Sequence, residues 1–456
     1  MADTINPFRK ISLRETRLVT IIAFMAWAIA VYDYILFGTL LPRIEESFGW
    51  DSSTALLIST LVSIGVFAVI ILFGPLIDRL GRRKGMMASV GGSAVAGGSS
   101  ALAIGPASLV GIRALSGVAL AEQSVNATYL NEVYALSDDK TVKKNQGLMY
   151  AFVQTGWPVG ALMAAGFVTL VTTWFGAESW RIAFVISIIP AAIVFALIYF
   201  FLKETPQFVA MKKMKALQKA GDVAAAQKIS AETGLQISTE APLRTIFNRT
   251  HRRNTVVLAV AWILNWMGIQ TFSVLGTTVL ESGKGVDASS ALLMIIIANI
   301  VGALGYVTHG WLGDRFGRKN VIVIGWLIAG VAFTTMMLGP SNAAFVLPMY
   351  MVGLFFLLGP YAAIMYFQAE CFRSDCRGTG SAFIVSMSQP GAVVGGFILT
   401  ALVTANFGLT NATIVIALGG VLVSGVVMML ARPVKTKRQQ EVSQLQPSTT
   451  QFAPEL

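Results

Sequence analysis

The chain has 456 residues, of which 55% are hydrophobic and only 12% charged, and its mean hydropathy is +0.68. That balance excludes a soluble globular domain and indicates an integral membrane protein. The net charge of +11 raises nucleic acid as a partner, so the placement of the basic residues has to be examined along the chain.

Apolar runs of about twenty residues recur, each long enough to cross a bilayer as a helix. They centre near Ala28, Gly65, Val95, Leu120, Gly160, Val194, then Gly268, Ala298, Gly330, Leu357, Val393 and Val421. Strand-length alternation is absent, which argues against a transmembrane barrel. The expected architecture is all-α, with twelve spanning helices.

Residues 1–16, "MADTINPFRKISLRET", are polar and basic. The run after them spans without a cleavage signal, so the first helix is expected to be retained. Within that run stands Asp33, next to Tyr32. A helix starting near Arg17 carries Asp33 roughly 24 Å along its axis, inside a hydrocarbon layer about 30 Å thick. An acid at that depth is partnered, protonated or exposed to a water-filled path.

The second run ends in "GPLIDRLGRRKGMM", Gly74 to Met87. The fourth holds two more charges, Arg113 about six residues inside one end and Glu122 nine residues later. At 100° per residue Glu122 lies on the opposite helix face from Arg113. Two readings of Glu122 stand side by side: a carboxylate bonded to helix-end or loop groups, and a second proton site. The first half also offers Asn126, Gln154 and Trp157 as polar or aromatic cavity candidates.

From Lys203 to Arg253 the chain turns polar, and "MKKMKALQKAGDVAAAQKISAETG" reads as one or two short amphipathic surface helices. This segment, 204–252, divides two six-helix bundles expected at 17–203 and 253–431. On the seventh run Trp262, Trp266 and Gln270 share i, i+4, i+8 spacing and so one helix face, with Asn265 between them. Asn299, Tyr361, Tyr366 and Gln389 follow on later runs. Buried amides are the better candidates, because exposure to lipid leaves them unpaired. Cys371 and Cys376 are spaced poorly for metal ligation, and no metal is expected. Residues 432–456 are polar and Gln- and Ser-rich, with the composition of a disordered tail.

All but four of the 34 Lys and Arg fall in the termini and in alternate loops; the exceptions are Arg43, Arg113, Arg181 and Lys284. The positive-inside rule accounts for this pattern with both termini cytoplasmic, and nucleic acid is not needed as a partner. No nucleophile, base and orienting group occur together, and no phosphate loop or metal cluster, so an enzyme is not expected.

The halves repeat. "GWLGDRFGRKNVIV", Gly310 to Val323, stands after the eighth run as "GPLIDRLGRRKGMM" stands after the second, and both follow G-x-x-x-D-R-x-G-R-[RK]. "YLNEVYALSDDKTVKKNQG" is echoed by "YFQAECFRSDCRGTG" at the end of the fourth run of each half. Such repeats about an axis along the membrane normal belong to rocking transporters. The repeated residues Gly74, Asp78, Arg79, Gly81, Arg82 and Arg83, with Gly310, Asp314, Arg315, Gly317 and Arg318, are expected to gate one face. Their arginines can pair with Glu132 and Glu370, and Arg377 lies in the second echo.

The duplicated loop, the twelve runs and the central polar segment resemble the major facilitator superfamily from Arg17 to Arg432. "RALSGVALAEQ" from Arg113 resembles the R-x-x-x-G motif of its fourth helix, and "KETPQF" the P-E-S-P-R-[FW] segment of sugar porters, organic-ion transporters and aromatic-acid/proton symporters. The resemblance implies that the first and fourth helices are neighbours, so Asp33 can meet Arg113. It also implies that this pair couples transport to protons, as a carboxylate on helix one and an arginine on helix four do in sugar porters. Helix seven reads "NWMGIQTFSVLG" rather than Q-Q-x-S-G-x-N, which weakens a hexose reading. "YDYILFGT" and "ESWRIAFVISIIP" look like metabolite/proton and aromatic- or sugar-acid symporters, families that mostly import carboxylates. The expected function is therefore proton-coupled import of a small organic acid, with Arg113 partnering Asp33 or reaching the substrate carboxylate. The proton is the only coupling agent, the setting the cytoplasmic membrane, and the protein a monomer. Drug/proton antiport and neutral sugar/proton symport are the alternatives.

Overall fold

The computed structural model describes residues 10–144, 146–175, 179–233, 246–249, 251–372 and 377–432. Almost everything described is helix; the one β-contact among these residues is an isolated bridge between Ile11 and Ser137. Most of the expected tail and residues 234–245 and 250 of the expected linker lie outside the described residues.

The first half contains α1 (Leu13–Phe48), α2 (Ser52–Leu80), α3 (Arg82–Ser100), α4 in three pieces (Pro106–Ala114, Gly117–Leu120, Glu122–Leu136), α5 (Leu148–Phe175) and α6 (Ser179–Phe201). Two short helices follow, α7 (Pro206–Lys219) and α8 (Val223–Thr233). The second half contains α9 (Arg252–Val274), α10 (Ala288–Phe316), α11 (Arg318–Leu338), α12 (Ala343–Gln368), α13 (Phe383–Thr404) and α14 (Leu409–Met428). Ten of these helices are long and apolar enough to cross a membrane on their own composition. The other two spans, α3 and α4, complete the twelve. α3 is rich in Gly and Ser, and α4 carries Arg113 and Glu122. Both can cross because neighbouring helices, not lipid, meet their polar groups.

The helix ends follow from local chemistry. α1 starts at Ser12, whose hydroxyl accepts the Glu15 N–H, and stops at Gly49 in the left-handed region. In the duplicated motif, Gly81 and Gly317 precede α3 and α11 with φ of 100° and 90°. The last motif glycine is thus a backbone requirement in both copies. At the far end of α3, Arg181 donates to the Ala101 and Ala103 carbonyls, each at 2.7 Å; at the far end of α11, Lys284 donates to the Gly339 carbonyl at 2.7 Å. These two cations, remote from the basic loops, serve as helix C-terminal caps.

Each half packs around its first helix. α1 lies against α5, α3, α4 and α6, and α9 against α13 and α14. Small residues let the backbones approach: a Cβ at Gly160 of α5 would stand 2.7 Å from the Ala28 carbonyl, and one at Gly395 of α13 would stand 2.9 Å from the Met267 Cα. The halves meet along α2 against α13 and α5 against α10. From Ile269 to Val274 α9 loosens into wide turns that meet α1, and the chain after it repeats them at Val279–Gly283. Helix irregularities of this kind concentrate at functional sites.

Candidate functional site

Asp33 and Arg113 form an ion pair inside the first bundle, with side chains 4% and 1% exposed. Nη1 donates to the Asp33 carboxylate at 3.1 Å, and Nη2 donates to its backbone carbonyl at 2.9 Å. The guanidinium also lies over the Phe37 and Phe184 rings, at 5.5 and 5.3 Å. Local chain chemistry makes the room: α4 steps at Leu115 and Ser116, whose N–H groups bond three residues back, just after Arg113. Gly97 of α3 leaves the carboxylate its space, since a Cβ there would stand 2.6 Å from Asp33 Oδ1. A pair so deeply buried is costly unless geometry and further bonds compensate it, and breaking it is costlier still.

Glu122 is fully buried on the other side of α4; it accepts a bond from the Ser89 hydroxyl, while Oε1 has no partner among the described residues.

Between the halves lies a small pocket of about 10 Å³, room for about one water molecule in this conformation. The first half lines it with Trp27, Gln123, Gln154 and Trp157, the second with Trp266, Ile269, Tyr306, Leu358 and Tyr361. The Gln123 amide donates to Gln154 Oε1 at 3.3 Å, and the Trp157 indole N–H donates to the Ser273 hydroxyl at 3.1 Å. The indole N–H groups of Trp27 and Trp266 are buried without a partner among the described residues, as are those of Trp180, Trp262 and Trp326 away from the pocket. Trp157 and Trp266 meet edge to face, with centroids 5.5 Å apart.

Four of the expected cavity residues, Gln154, Trp157, Trp266 and Tyr361, line this space. Trp262 stands behind it, stacked on Trp266 and edge-on to Tyr361. Asn265 accepts from the Tyr361 hydroxyl at 2.8 Å and donates to Ser424 at 3.2 Å, so it positions Tyr361 from behind. Others turn elsewhere. Tyr32 meets Phe167 edge-on, Asn126 donates to the Ala23 carbonyl, and Asn299 donates back to Ile295 in its own helix. Tyr366 lies at the motif end, against Tyr150 and beneath Arg318. Arg113 is held by Asp33 and is not among the lining residues. Trp27, Gln123, Ile269, Tyr306 and Leu358 had no sequence signal beyond lying in a span.

Beyond the cavity, away from the repeated loops, the halves are tied together. Gln270 accepts from Tyr34 at 3.1 Å and donates to Ser59 at 3.4 Å, while Gln389 bonds the Tyr34 hydroxyl. Thr277 donates to the Gly38 carbonyl at 3.2 Å, and Arg43 reaches Glu281 at 3.4 Å. At the motif end the ion pairs seen among the described residues lie within each half. Arg82 pairs with Glu132 at 3.2 Å, and Arg318 with Glu370 at 2.5 Å. "KETPQF" docks on the first pair. Glu204 accepts the N–H groups of Arg82 and Arg83 at the start of α3, Thr205 bonds Glu132, and the Arg82 guanidinium lies 5.2 Å from the Phe208 ring centre. Arg83 donates to the Tyr199 carbonyl at 2.6 Å, while Arg315 lies exposed over Trp311. The side chains of Asp78, Arg79, Asp314 and Arg377, and the surroundings of Gly74, lie outside the described residues. Gly310 faces Ala362.

Among the described residues no three His, Cys, Asp or Glu side chains gather as metal ligands. Cys371 is buried beside the Asn254 amide, and burial pushes its thiol up to about 12, which makes it unreactive. Cys376 lies outside the described residues.

The sugar (and other) transporter family model matches residues 18–443. A gallate transporter of Pseudomonas putida is 24% identical over 405 residues, covering 86% of this chain and 86% of that protein. A gentisate transporter of Corynebacterium glutamicum is 24% identical over 415 residues, covering 89% and 85%. A 4-hydroxybenzoate transporter of Acinetobacter baylyi is 24% identical over 411 residues, covering 86% of each chain. Among solved structures, a D-xylose–proton symporter superposes with a TM-score of 0.68 at 17% identity, covering 92% of this chain and 98% of that one. That likeness shows the shared twelve-helix transporter fold.

Proposed function

We propose that this chain, which belongs to the sugar (and other) transporter family of the major facilitator superfamily, imports a small organic acid together with protons by alternating access. An aromatic carboxylate is the substrate class that the relatives' names support. The observation that carries the reading is a buried ion pair beside an interface cavity lined by both halves. Asp33 is six residues from Trp27 on one helix, hence about 9 Å along its axis from the cavity wall.

The coupling follows from charge. With Asp33 ionised, the pair is neutral and offers an anion nothing. Protonation of Asp33 leaves Arg113 as a net positive charge. At about 9 Å and an effective dielectric near 20, this attracts a carboxylate in the cavity by about 2 kcal/mol. Proton and anion thus favour each other's binding, and the doubly loaded bundle carries no extra charge while it rocks. Glu122 is a second proton site on the same helix. The repeated loops face the cytoplasm, as the basic residues require. The tie of Tyr34, Gln270, Arg43 and Glu281 then closes the outer side, and the Arg82 and Arg318 pairs re-form to hold the outward-facing state.

A lipophilic cation also fits an aromatic cavity. The acid reading is preferred because the relatives are named for carboxylate substrates and the lining residues include no carboxylate. The test is proteoliposomes with a pH-sensitive dye, offered aromatic acids, sugar acids, neutral sugars and lipophilic cations in turn. Proton influx with one acid, abolished in Asp33→Asn, supports symport. Proton efflux with cations and silence with acids overturns it.

A further inference from the structure

The buried pair of Asp33 and Arg113 has a second acid toward the motif end. Glu122 follows Arg113 by nine residues on α4, roughly 13 Å along the axis, and is fully buried with Oε1 lacking a partner among the described residues. One face of α3 runs between the two carboxyls. Ser89, Ser93 and Gly97 stand four residues apart and are all buried, so they climb that face by about 6 Å per step. At the Gly97 end a Cβ would stand 2.6 Å from Asp33 Oδ1 and 2.9 Å from the Ser187 hydroxyl, so both oxygens border this face. At the other end the Ser89 hydroxyl touches Glu122 Oε2. Between them Ser93 is 1% exposed and its hydroxyl has no partner among the described residues, whereas Ser100 of the same helix gives its own to the Ala96 carbonyl. A buried hydroxyl that forgoes the bond open to helical serines calls for an explanation.

Ser89 suits two proton states. Its oxygen lies 3.0 Å from the Met86 carbonyl as well as beside Glu122, and one hydroxyl hydrogen serves one acceptor fully at a time. With Glu122 ionised, Ser89 donates to it; with Glu122 protonated, the acid donates to Ser89, which turns to Met86. We propose that Glu122 takes up the proton that Asp33 releases, by way of Ser93 and Ser89, so that the proton leaves through the interior of the first bundle and not through the pocket between the halves. This rests on the proton-symport reading above and goes beyond it by giving the proton a route separate from the substrate's. The transfer turns the Asp33 carboxylic acid and the Glu122 carboxylate into the Asp33 carboxylate and the Glu122 carboxylic acid, and each serine gains one proton and passes one on. A step of about 6 Å is the span of two hydrogen bonds through a single water. Once Asp33 is ionised it pairs with Arg113 again and the attraction for the bound anion ends. Glu132, ten residues beyond Glu122 on α4, brings the route to the Arg82 pair at the motif end.

The test separates net proton-coupled uptake from exchange, in which the protonated carrier returns without releasing its proton. Proteoliposomes with an internal pH-sensitive dye are offered gallate, gentisate and 4-hydroxybenzoate, the acids for which relatives are named, and exchange is followed with the labelled form of each acid that moves protons. Glu122→Gln should lower net uptake by about tenfold or more, as expected for loss of a proton-transfer group, and keep exchange within about twofold of wild type. Ser93→Ala should lower net uptake several-fold, and Ser93→Thr, which restores a hydroxyl, should recover most of it. Wild-type net uptake in Glu122→Gln, or equal loss of uptake and exchange, overturns the proposal. Should Glu122→Gln fail to fold, the Ser93 variants decide: net uptake equal to wild type in Ser93→Ala, or no recovery in Ser93→Thr, overturns it as well. If wild type moves no proton with any acid of the wider panel, the symport reading itself fails; coupled uptake that is indifferent to Glu122 and Ser93 removes only the relay.

Discussion

The two halves share one helical plan and one loop motif, but they bury different chemistry. In the first, Arg113 of α4 donates to the Asp33 carbonyl of α1 and to its carboxylate. In the second, Tyr350 of α12 donates to the Phe272 carbonyl of α9 at 2.7 Å. The helices correspond, and so does the bond from the fourth helix to the backbone of the first. Only the first half adds a charge to it. A neutral bond of this kind holds the second bundle; under the proposed coupling, the ionised one in the first adds what a hydroxyl cannot, a charge that changes with a proton.

Truncation of both bonds gives the largest expected contrast. Arg113→Ala leaves Asp33 uncompensated and should cost about 3–5 kcal/mol of stability, with loss of uphill uptake. Tyr350→Phe removes one neutral hydrogen bond and should cost about 1 kcal/mol, leaving uptake coupled. Thermal unfolding in detergent and uptake with and without a protonophore check both. Equal penalties would mean that the charge is structural.

The motif end gives the next contrast. Among the described contacts, Arg82 is bound to Glu132 and covered by Glu204, Thr205 and Phe208, and Arg318 is bound to Glu370 over the Tyr366 ring. Arg82→Ala should therefore cut initial uptake about tenfold and Arg318→Ala several-fold less, with Glu204→Gln falling between them. A larger loss at Arg318 would reverse the ranking and place the controlling latch in the second half.

How far this was legible in the sequence differs by residue for physical reasons. Asp33 and Arg113 announced themselves because a charge in a span is expensive wherever the helix faces. The cavity wall did not. On α1 it is Trp27 that lines it, while Tyr32, about 140° round the helix, turns to Phe167; helix rotation decides this, and twelve apolar helices leave their rotation to packing. "KETPQF" was visible as a segment, but its docking on Gly81 depends on a contact across more than a hundred residues, which no local pattern records. The third and fourth spans read as apolar runs, and their buried polar groups became intelligible only with the neighbours that satisfy them.

The tie on the outer side offers a smaller effect. Gly38→Val would place a side chain on the Val274 carbonyl and hold α1 and α9 apart. It should lower uptake about tenfold by disfavouring the closed outer side. Arg43→Gln removes partly exposed pairs with Glu281 and with Glu46, about 0–1 kcal/mol each, and should shift the apparent affinity by a few-fold at most. Measuring both at low and high salt separates them, since only the ion pair is screened.

Where the halves agree, the expected effect is smallest and should be the same in both. "DSSTALL" begins α2 and "DASSALL" precedes and begins α10. Asp51 accepts from Ser53 and Thr54, and Asp287 accepts from Ser289 at 2.6 Å and from the Ser290 N–H at 2.9 Å. These bonds hold both carboxyls below the usual carboxylate range. A depressed folded value means that the cap contributes fully above about pH 4 and is lost as pH falls through the folded value. Hydrogen exchange in the first turns of α2 and α10, corrected for intrinsic rate, should rise as the medium is acidified below that point, and Asp51→Asn and Asp287→Asn should each flatten the response in their own helix alone. A response in one helix only would break the equivalence of the two caps, although sequence, geometry and charge repeat in both.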